Sequence, residues 1–405
     1  MSFTLLTQNL IGSLFALLLG SLIGSFANVV VHRLPKGASI AFPGSHCPRC
    51  NHRLSPLELV PVLSWAVQRG RCRSCRSPIS LRYPLVESIM AVGFALLWLR
   101  WSPLEVGWAF LPLAAVFAVL VILAAIDLDT YTLPDVLTLP VLALALLAPL
   151  LYPAGQGLPS AGQALEGAAV GAGVLALINR LGGLALRRFH DTGERLWPLG
   201  FDQVNLAAVA GAVAGWQAGL AAAAVSLAGN LGLRRTIRLP EPALFVLWAL
   251  ALALSFTGLT VAPFDAVGGS LAAAGAVALT GALYWWLRDV AKHGPRASGT
   301  SESADEVASA ERAEESTQAA GDDEPVAMGF GDVKLAAVMG ALLGWEKLLL
   351  ALFLSFVVGA IGGVVGRMLG GDRVIPFGPY LVLAAVLTLF LGDAILGWYL
   401  GLLNV

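Results

Sequence analysis

Two kinds of side chain in this sequence are spaced for chemistry: four cysteines and a set of carboxylates beside long apolar runs. The cysteines form Cys47-Pro-Arg-Cys50 and Cys72-Arg-Ser-Cys75, with 21 residues between the pairs. Each C-x2-C places two thiolates on one tight turn, and two such turns complete a tetrahedral zinc site. Neighbouring arginines favour thiolate over thiol, and a reducing cytoplasm argues against disulfides. With all four positions filled by protein, the expected role is structural: the metal folds a small loop domain that has little apolar core. His32, His46 and His52 have no metal spacing of their own and read as polar surface histidines.

The carboxylates lie elsewhere. Asp127 follows Val106–Ile126, a stretch without a single charge, and Asp129 and Asp135 come close behind. An ionisable residue at the edge of a membrane span marks a functional site by default. Asp129 and Asp135 read more simply as helix-capping and turn residues, with Pro134 opening the next helix. Asp332 stands in Met328-Gly-Phe-Gly-Asp-Val-Lys334. Gly329 and Gly331 allow tight backbone approach before a short helix. Lys334 is placed either to lower a nearby carboxylate's pKa or to reach phosphate head groups. Two carboxylates sharing a proton across a water are the logic of aspartic peptidases. One acts as general base on the water, and the other polarises the scissile carbonyl. On these residues alone, proton-coupled transport through paired acids competes equally.

The elements that position these groups are membrane helices. The chain has 405 residues, is 57% hydrophobic and 13% charged, and has a mean hydropathy of +0.78. A soluble domain carries about 25% charged residues. The composition therefore predicts an all-α fold: a polytopic integral membrane helical bundle, embedded in the lipid bilayer, with a small cytoplasmic zinc-knuckle loop domain. No nucleic-acid partner is expected. Spans of roughly 20 apolar residues are expected near 8–31, 84–101, 106–126, 133–152, 164–186, 202–214, 216–233, 242–258, 264–287, 331–344, 347–369 and 376–400. The first lacks a basic n-region and a cleavage site, so it reads as a retained span and not a signal peptide.

His32 to Arg82 holds nine basic residues and one acid, Glu58. By the positive-inside rule that loop is cytoplasmic and the N-terminus lies outside. Asp127, Arg187–Arg195, Arg234–Arg238, Asp332 and Arg373 then fall on the cytoplasmic side. Residues 292–326 carry nine acids against three bases and read as a disordered spacer.

An internal repeat is visible. Gly200-Phe-Asp-Gln-Val-Asn-Leu-Ala-Ala-Val209 aligns with Gly329-Phe-Gly-Asp-Val-Lys-Leu-Ala-Ala-Val338, and Gly215-Trp216 with Gly344-Trp345. In the first copy Gln203 replaces Asp332, and Asn205 replaces Lys334. Expected divisions are 1–31 (first span), 32–83 (cysteine loop domain), 84–152 (helices with the first aspartate), 153–290 (inserted helices with a degenerate repeat), 291–327 (acidic linker) and 328–405 (helices with the second aspartate).

Several segments together resemble the type IV prepilin peptidases, bifunctional leader peptidase and N-methyltransferase enzymes. They are Gly24–Pro35, both C-x2-C pairs, Arg82-Tyr-Pro-Leu-Val-Glu87, Ile126-Asp-Leu-Asp with Leu133-Pro-Asp135, Gly329-Phe-Gly-Asp332 and Ile375-Pro-Phe-Gly-Pro-Tyr380. The resemblance covers roughly 8–150 and 326–400. It implies Asp127 and Asp332 as the catalytic pair. It also implies cleavage of prepilin or pseudopilin leaders at the cytoplasmic face of a bacterial inner membrane. Methylation of the new N-terminus by S-adenosylmethionine follows from the same likeness, with Gly70 beside Cys72 matching a glycine of the methylation-associated loop. The chain departs from the family pattern in placing its aspartates 205 positions apart, with four extra expected spans between them. These read as a catalytically silent duplication.

Overall fold

The structure is a computed structural model. It describes residues 3–102, 106–152, 156–185, 199–234, 240–258, 260–293, 330–368 and 376–402. Gly329, Arg373, nearly all of the acidic linker and most of the two expected basic loops at 187–195 and 234–238 lie outside them.

All twelve apolar segments fold as helices, because in a bilayer each segment must satisfy its own backbone hydrogen bonds. They are α1 (Phe3–Arg33), α3 (Arg82–Arg100), α4 (Phe110–Thr130), α5 (Asp135–Leu147), α6 (Ala161–Ala185) and α7 (Phe201–Ala214). Then come α8 (Trp216–Leu233), α9 (Glu241–Ser255), α10 (Pro263–His293), α11 (Phe330–Leu343), α12 (Trp345–Met368) and α13 (Gly378–Leu402). The short α2 (Leu63–Val67) belongs to the cysteine loop. Among the described residues, seven helices are long and apolar enough to cross a membrane: α1, α3, α4, α6, α10, α12 and α13. The expected span at 106–126 starts later and runs further, to Thr130, so Asp127 and Asp129 are inside the helix instead of after it.

Two compact units are present, one formed by residues 1–168 and 335–405, the other by 169–334. In the first, α1 packs along α3, and both meet α4. Close approach needs small residues: a Cβ on Gly24 would lie 2.7 Å from the Glu87 Cα, and one on Gly20 would strike the Met90 carbonyl. Phe94 meets Phe110 and Phe117 edge-on at centroid distances of 6.2 and 6.3 Å. Met90, Leu97, Leu113, Leu120, Leu123 and Ile126 complete this core. At the end remote from Asp127, Lys347 pairs with Asp393 at 2.7 Å and donates to the Gly157 carbonyl at 2.7 Å.

In the second unit, α7 packs against α8, α9 and α10. Trp285 Nε1 donates to the Leu199 carbonyl at 3.2 Å, and Phe201 meets Phe330 edge-on. The repeat is a structural one. Both α7 and α11 have 14 residues, and each stops at a glycine in the left-handed region, Gly215 at φ 85° and Gly344 at φ 76°. Each glycine N–H closes onto a carbonyl four residues back at 2.9 Å, and the next helix starts at a tryptophan. Only glycine adopts that φ without strain, which is why the shared Gly-Trp survives in both copies.

Candidate active site

Asp127 sits in the last turn of α4 and is 5% exposed. Its Oδ2 accepts the Gly378 N–H at 3.0 Å, joining residues 251 positions apart. Gly378 is the first residue of α13, where backbone N–H groups have no partner within the helix. Pro379 follows, at a position that needs no donor. A Cβ at Gly378 would lie 2.6 Å from Asp127 Oδ2 and 3.1 Å from its Cγ. The carboxylate thus occupies the space that glycine leaves. Phe377, the preceding residue, stacks on Phe356 at a centroid distance of 5.2 Å.

Asp129 departs from the simple turn-and-cap expectation. Arg82 Nη1 pairs with both of its oxygens, while Nη2 donates to the Ala125 carbonyl at 2.9 Å. One guanidinium therefore ties the start of α3 to the end of α4 through the Asp129 carboxylate and the Ala125 carbonyl. Tyr131, at φ 54°, ends α4 by donating its N–H to the Asp127 carbonyl at 3.0 Å. Asp135 is not the cap: Pro134 is the N-cap, and Asp135 is the first residue of α5, where an acid complements the helix dipole.

Asp332 is the third residue of α11 and is partly buried, with Gly331 before it. Lys334 is buried, and its Nζ lies 5.5 Å from the Phe330 ring centroid, a cation–π contact. Asp127 belongs to the first unit and Asp332 to the second. In the other copy of the repeat, Gln203 is buried and has a capping role. Its Oε1 accepts the Gly200 N–H at 2.8 Å, and its Nε2 donates to Ser226 Oγ at 3.1 Å.

The cysteine loop consists of two near-identical knuckles. Cys47 and Cys72 donate their N–H groups to the carbonyls of His52 and Ser77, at 2.9 and 2.8 Å. The N–H groups of Asn51 and Arg76, both in the left-handed region, return to the Cys47 and Cys72 carbonyls at 2.9 Å. All four Sγ atoms lie within 4.8 Å of one another, and Cys47 and Cys75 are 3.8 Å apart. Zinc–sulfur bonds of about 2.3 Å in a tetrahedron require about 3.8 Å between sulfurs, so these residues fit the metal. Backbone N–H groups of Cys50 and Arg49 lower the Cys47 thiol to about 6. The Ser77 hydroxyl and N–H lower Cys75. Cys50 has a backbone hydrogen bond at His52 that favours its thiolate, yet desolvation and the other three sulfurs push it up to about 11. Four sulfurs crowded this way compete for protons that one divalent cation would replace.

Gly70 has φ 65°, and a Cβ there would lie 2.8 Å from the Trp65 ring. Its carbonyl accepts the Ile79 N–H at 2.7 Å, closing the turn that carries the second cysteine pair. His52 contacts Glu58 at 3.4 Å, and Glu58 accepts both the N–H and the hydroxyl of Ser55. Three residues of the site escaped sequence reading as individuals: Gly378, Arg82 and Glu87, whose Oε2 accepts the Val62 N–H at 2.7 Å. Each stood inside a quoted motif, and that was the only signal available.

Residues 18–101 match the bacterial peptidase A24 N-terminal domain. Residues 114–233 and 234–364 each match the type IV leader peptidase family, so each copy of the repeat falls within its own match. A protein of Aeromonas hydrophila named prepilin leader peptidase/N-methyltransferase is 30% identical over 94% of this chain and 90% of its own length. Proteins of the same name from Myxococcus xanthus and Stutzerimonas stutzeri are 38% and 27% identical, over 51% and 96% of this chain and 57% and 93% of their own lengths. No solved structure matches the chain.

Proposed function

The chain belongs to the type IV leader peptidase family, and from that premise we propose that it is a prepilin-processing aspartic endopeptidase of the bacterial inner membrane. It cleaves the leader from prepilins or pseudopilins at the cytoplasmic face, with Asp127 and Asp332 as the catalytic pair. The observation that carries this reading is the buried Asp127 carboxylate, held by the first N–H of α13 at the end of an uncharged helix. An acceptor at a helix N-terminus suits the ionised member of a dyad. Asp127 then takes a proton from the attacking water, while Asp332 donates its proton toward the scissile carbonyl oxygen. Asp127 passes the acquired proton to the leaving amine as the tetrahedral intermediate collapses, and a hydroxyl of that intermediate returns a proton to Asp332, so the pair regains its one shared proton. Gly331 and Lys334 flank Asp332 on the same turn, as Arg82 and Asp129 brace Asp127, and Gly329 completes the Gly-x-Gly-Asp motif.

Cys47, Cys50, Cys72 and Cys75 hold a structural zinc, whose contribution is to fold the loop. The resemblance and the relatives' printed name also support N-methylation of the cleaved product by S-adenosylmethionine. Gly70 is the residue of this loop that the resemblance associates with methylation, and its positive φ and packing on Trp65 support a part in holding the loop.

The experiment is incubation of the membrane-reconstituted protein with a prepilin, followed by mass spectrometry of the product's N-terminus. Parent protein should give the trimmed chain, heavier by one methyl group when S-adenosylmethionine is present. Asp127→Asn and Asp332→Asn should each leave the leader attached. Cleavage by either variant at the parent rate overturns the dyad. Proton-coupled transport predicts proton flux across sealed vesicles instead, and gives the cysteine knuckles no role.

A further inference from the structure

The cysteine loop presents a surface that neither proteolysis nor metal binding uses. Its segment Pro56–Val67 contains one charged residue, Glu58, which is turned inward onto Ser55 and His52. What faces outward is apolar: Leu57 is 78% exposed, Leu63 64% and Val67 82%, with Leu59 and Val60 also exposed. In α2, Trp65 points into the loop and donates Nε1 to the Ile79 carbonyl at 3.2 Å. Leu63 and Val67, four residues apart, therefore share the opposite face. Exposed apolar side chains gathered in one short segment mark an interaction site.

Two further observations say what covers it. The first is depth. The Val62 N–H is held by Glu87, five residues into α3, a helix long and apolar enough to cross a membrane that begins at Arg82. At 1.5 Å per residue, Glu87 lies about 7.5 Å along the span. With the bilayer surface at the start of that helix, the strap would lie level with the head-group and acyl boundary, the depth of about 5–10 Å at which interfacial segments lie. Val62 takes φ 60°, a conformation uncommon for a β-branched residue, to meet Glu87. Gly24 makes room for the Glu87 backbone, and Asn28 donates to the Tyr83 carbonyl at 3.2 Å, so the anchor point itself is fixed on α1. The second is charge. The loop carries nine basic residues against one acid, and Arg49, Arg53, Arg69, Arg71, Arg73 and Arg76 are exposed. Juxtamembrane basic clusters are attracted to acidic phospholipid head groups.

We propose that Pro56–Val67 is a lipid-docking strap: its leucines and valines enter the acyl boundary of an acidic phospholipid bilayer while the surrounding arginines contact the head groups. The strap seats the cysteine knuckles against the membrane surface.

The test uses the full-length protein with an environment-sensitive fluorescent amino acid at position 63 or 67, and at position 73 as control. It is reconstituted in phosphatidylcholine vesicles with or without phosphatidylglycerol. Probes at 63 and 67 should be quenched by lipids brominated on the acyl chain and protected from aqueous iodide, most strongly with phosphatidylglycerol. The probe at 73 should respond to iodide alone. Glu87→Ala should release the strap and return the probe at 63 to iodide. A second pair, Leu57→Ser with Val67→Ser, alters only exposed positions. It should lower bromolipid quenching at 63 while helix content and bound zinc stay unchanged. Iodide access at 63 and 67 in both vesicles overturns the proposal. Equal quenching in both vesicles overturns its acidic-lipid part. Protection that appears only on adding a prepilin peptide makes the strap a substrate surface and also overturns it.

Discussion

Replacing Gly378 with alanine tests how Asp127 is held. The added Cβ would lie 2.6 Å from Oδ2 and 3.1 Å from Cγ, and real Cβ contacts essentially never fall below 3.0 Å. The carboxylate or the start of α13 must move, and the 3.0 Å hydrogen bond from the Gly378 N–H is lost or bent. A hydrogen bond to a charged group contributes about 1.5–3 kcal/mol. Lost wholly in the transition state, that is about a 10- to 150-fold fall in cleavage rate. A shift of a catalytic group by about 1 Å has a similar effect. The assay is the initial rate of prepilin cleavage across substrate concentrations, with the amount of inserted protein measured in parallel. The fall should appear in kcat with KM little changed, because leader binding is not touched. Gly397→Ala is the control on the same helix, since nothing lies within 4 Å of a Cβ there. It should stay within about twofold of the parent, as open surface substitutions do. Cleavage by Gly378→Ala within about twofold of parent would refute this account of Asp127.

Arg82→Lys keeps the charge but loses the fork that spans Asp129 and the Ala125 carbonyl. Because that pair is partly exposed, its effect stays within about 1 kcal/mol, so cleavage should fall by no more than about fivefold. Gln203→Asp in an Asp332→Asn background should restore no cleavage. Alone it should lower stability by about 1–3 kcal/mol, because the half-buried Ser226 contact of the buried Gln203 side chain is lost; denaturation in detergent reads this, and restored cleavage would show that the repeat is not silent. Cys50→Ser should reduce bound zinc from about one per chain to a small fraction of that, read by elemental analysis. The N–H and hydroxyl of Ser55, and then His52, hold the Glu58 carboxyl below its ordinary range. A folded-state pKa below the unfolded one adds stability above the ordinary carboxylate range, lost as pH falls through that range to the lowered value. Hydrogen exchange of residues 55–60 should quicken over that acid window, and Glu58→Gln should flatten the dependence.

Much of the fold is legible without coordinates, for a physical reason. Lipid forces every spanning segment to be helical and long, so apolar runs alone mark α1, α4 and α12. The two C-x2-C pairs are equally plain, because a tetrahedral metal needs its ligands on tight turns, and those turns are local. The repeat is legible because its Gly-Trp stop depends on a glycine φ that no other residue replaces cheaply.

Other features depend on contacts between distant parts of the chain. Gly378 meets Asp127 across 251 residues, and Arg82 meets Asp129 across 47. Hydropathy and spacing describe one segment at a time and are blind to which helix ends adjoin. So Asp129 reads locally as a turn residue and proves to be an arginine's partner, while Glu87 reads as one letter of a motif and proves to hold Val62. The sequence by itself determined the helices, the metal-fitting cysteines, the duplication and the aspartates worth testing, since each follows from local chemistry. Only the tertiary structure decided what holds Asp127, what occupies Gln203 and where the apolar strap hangs, because those depend on packing between elements that are far apart in the chain.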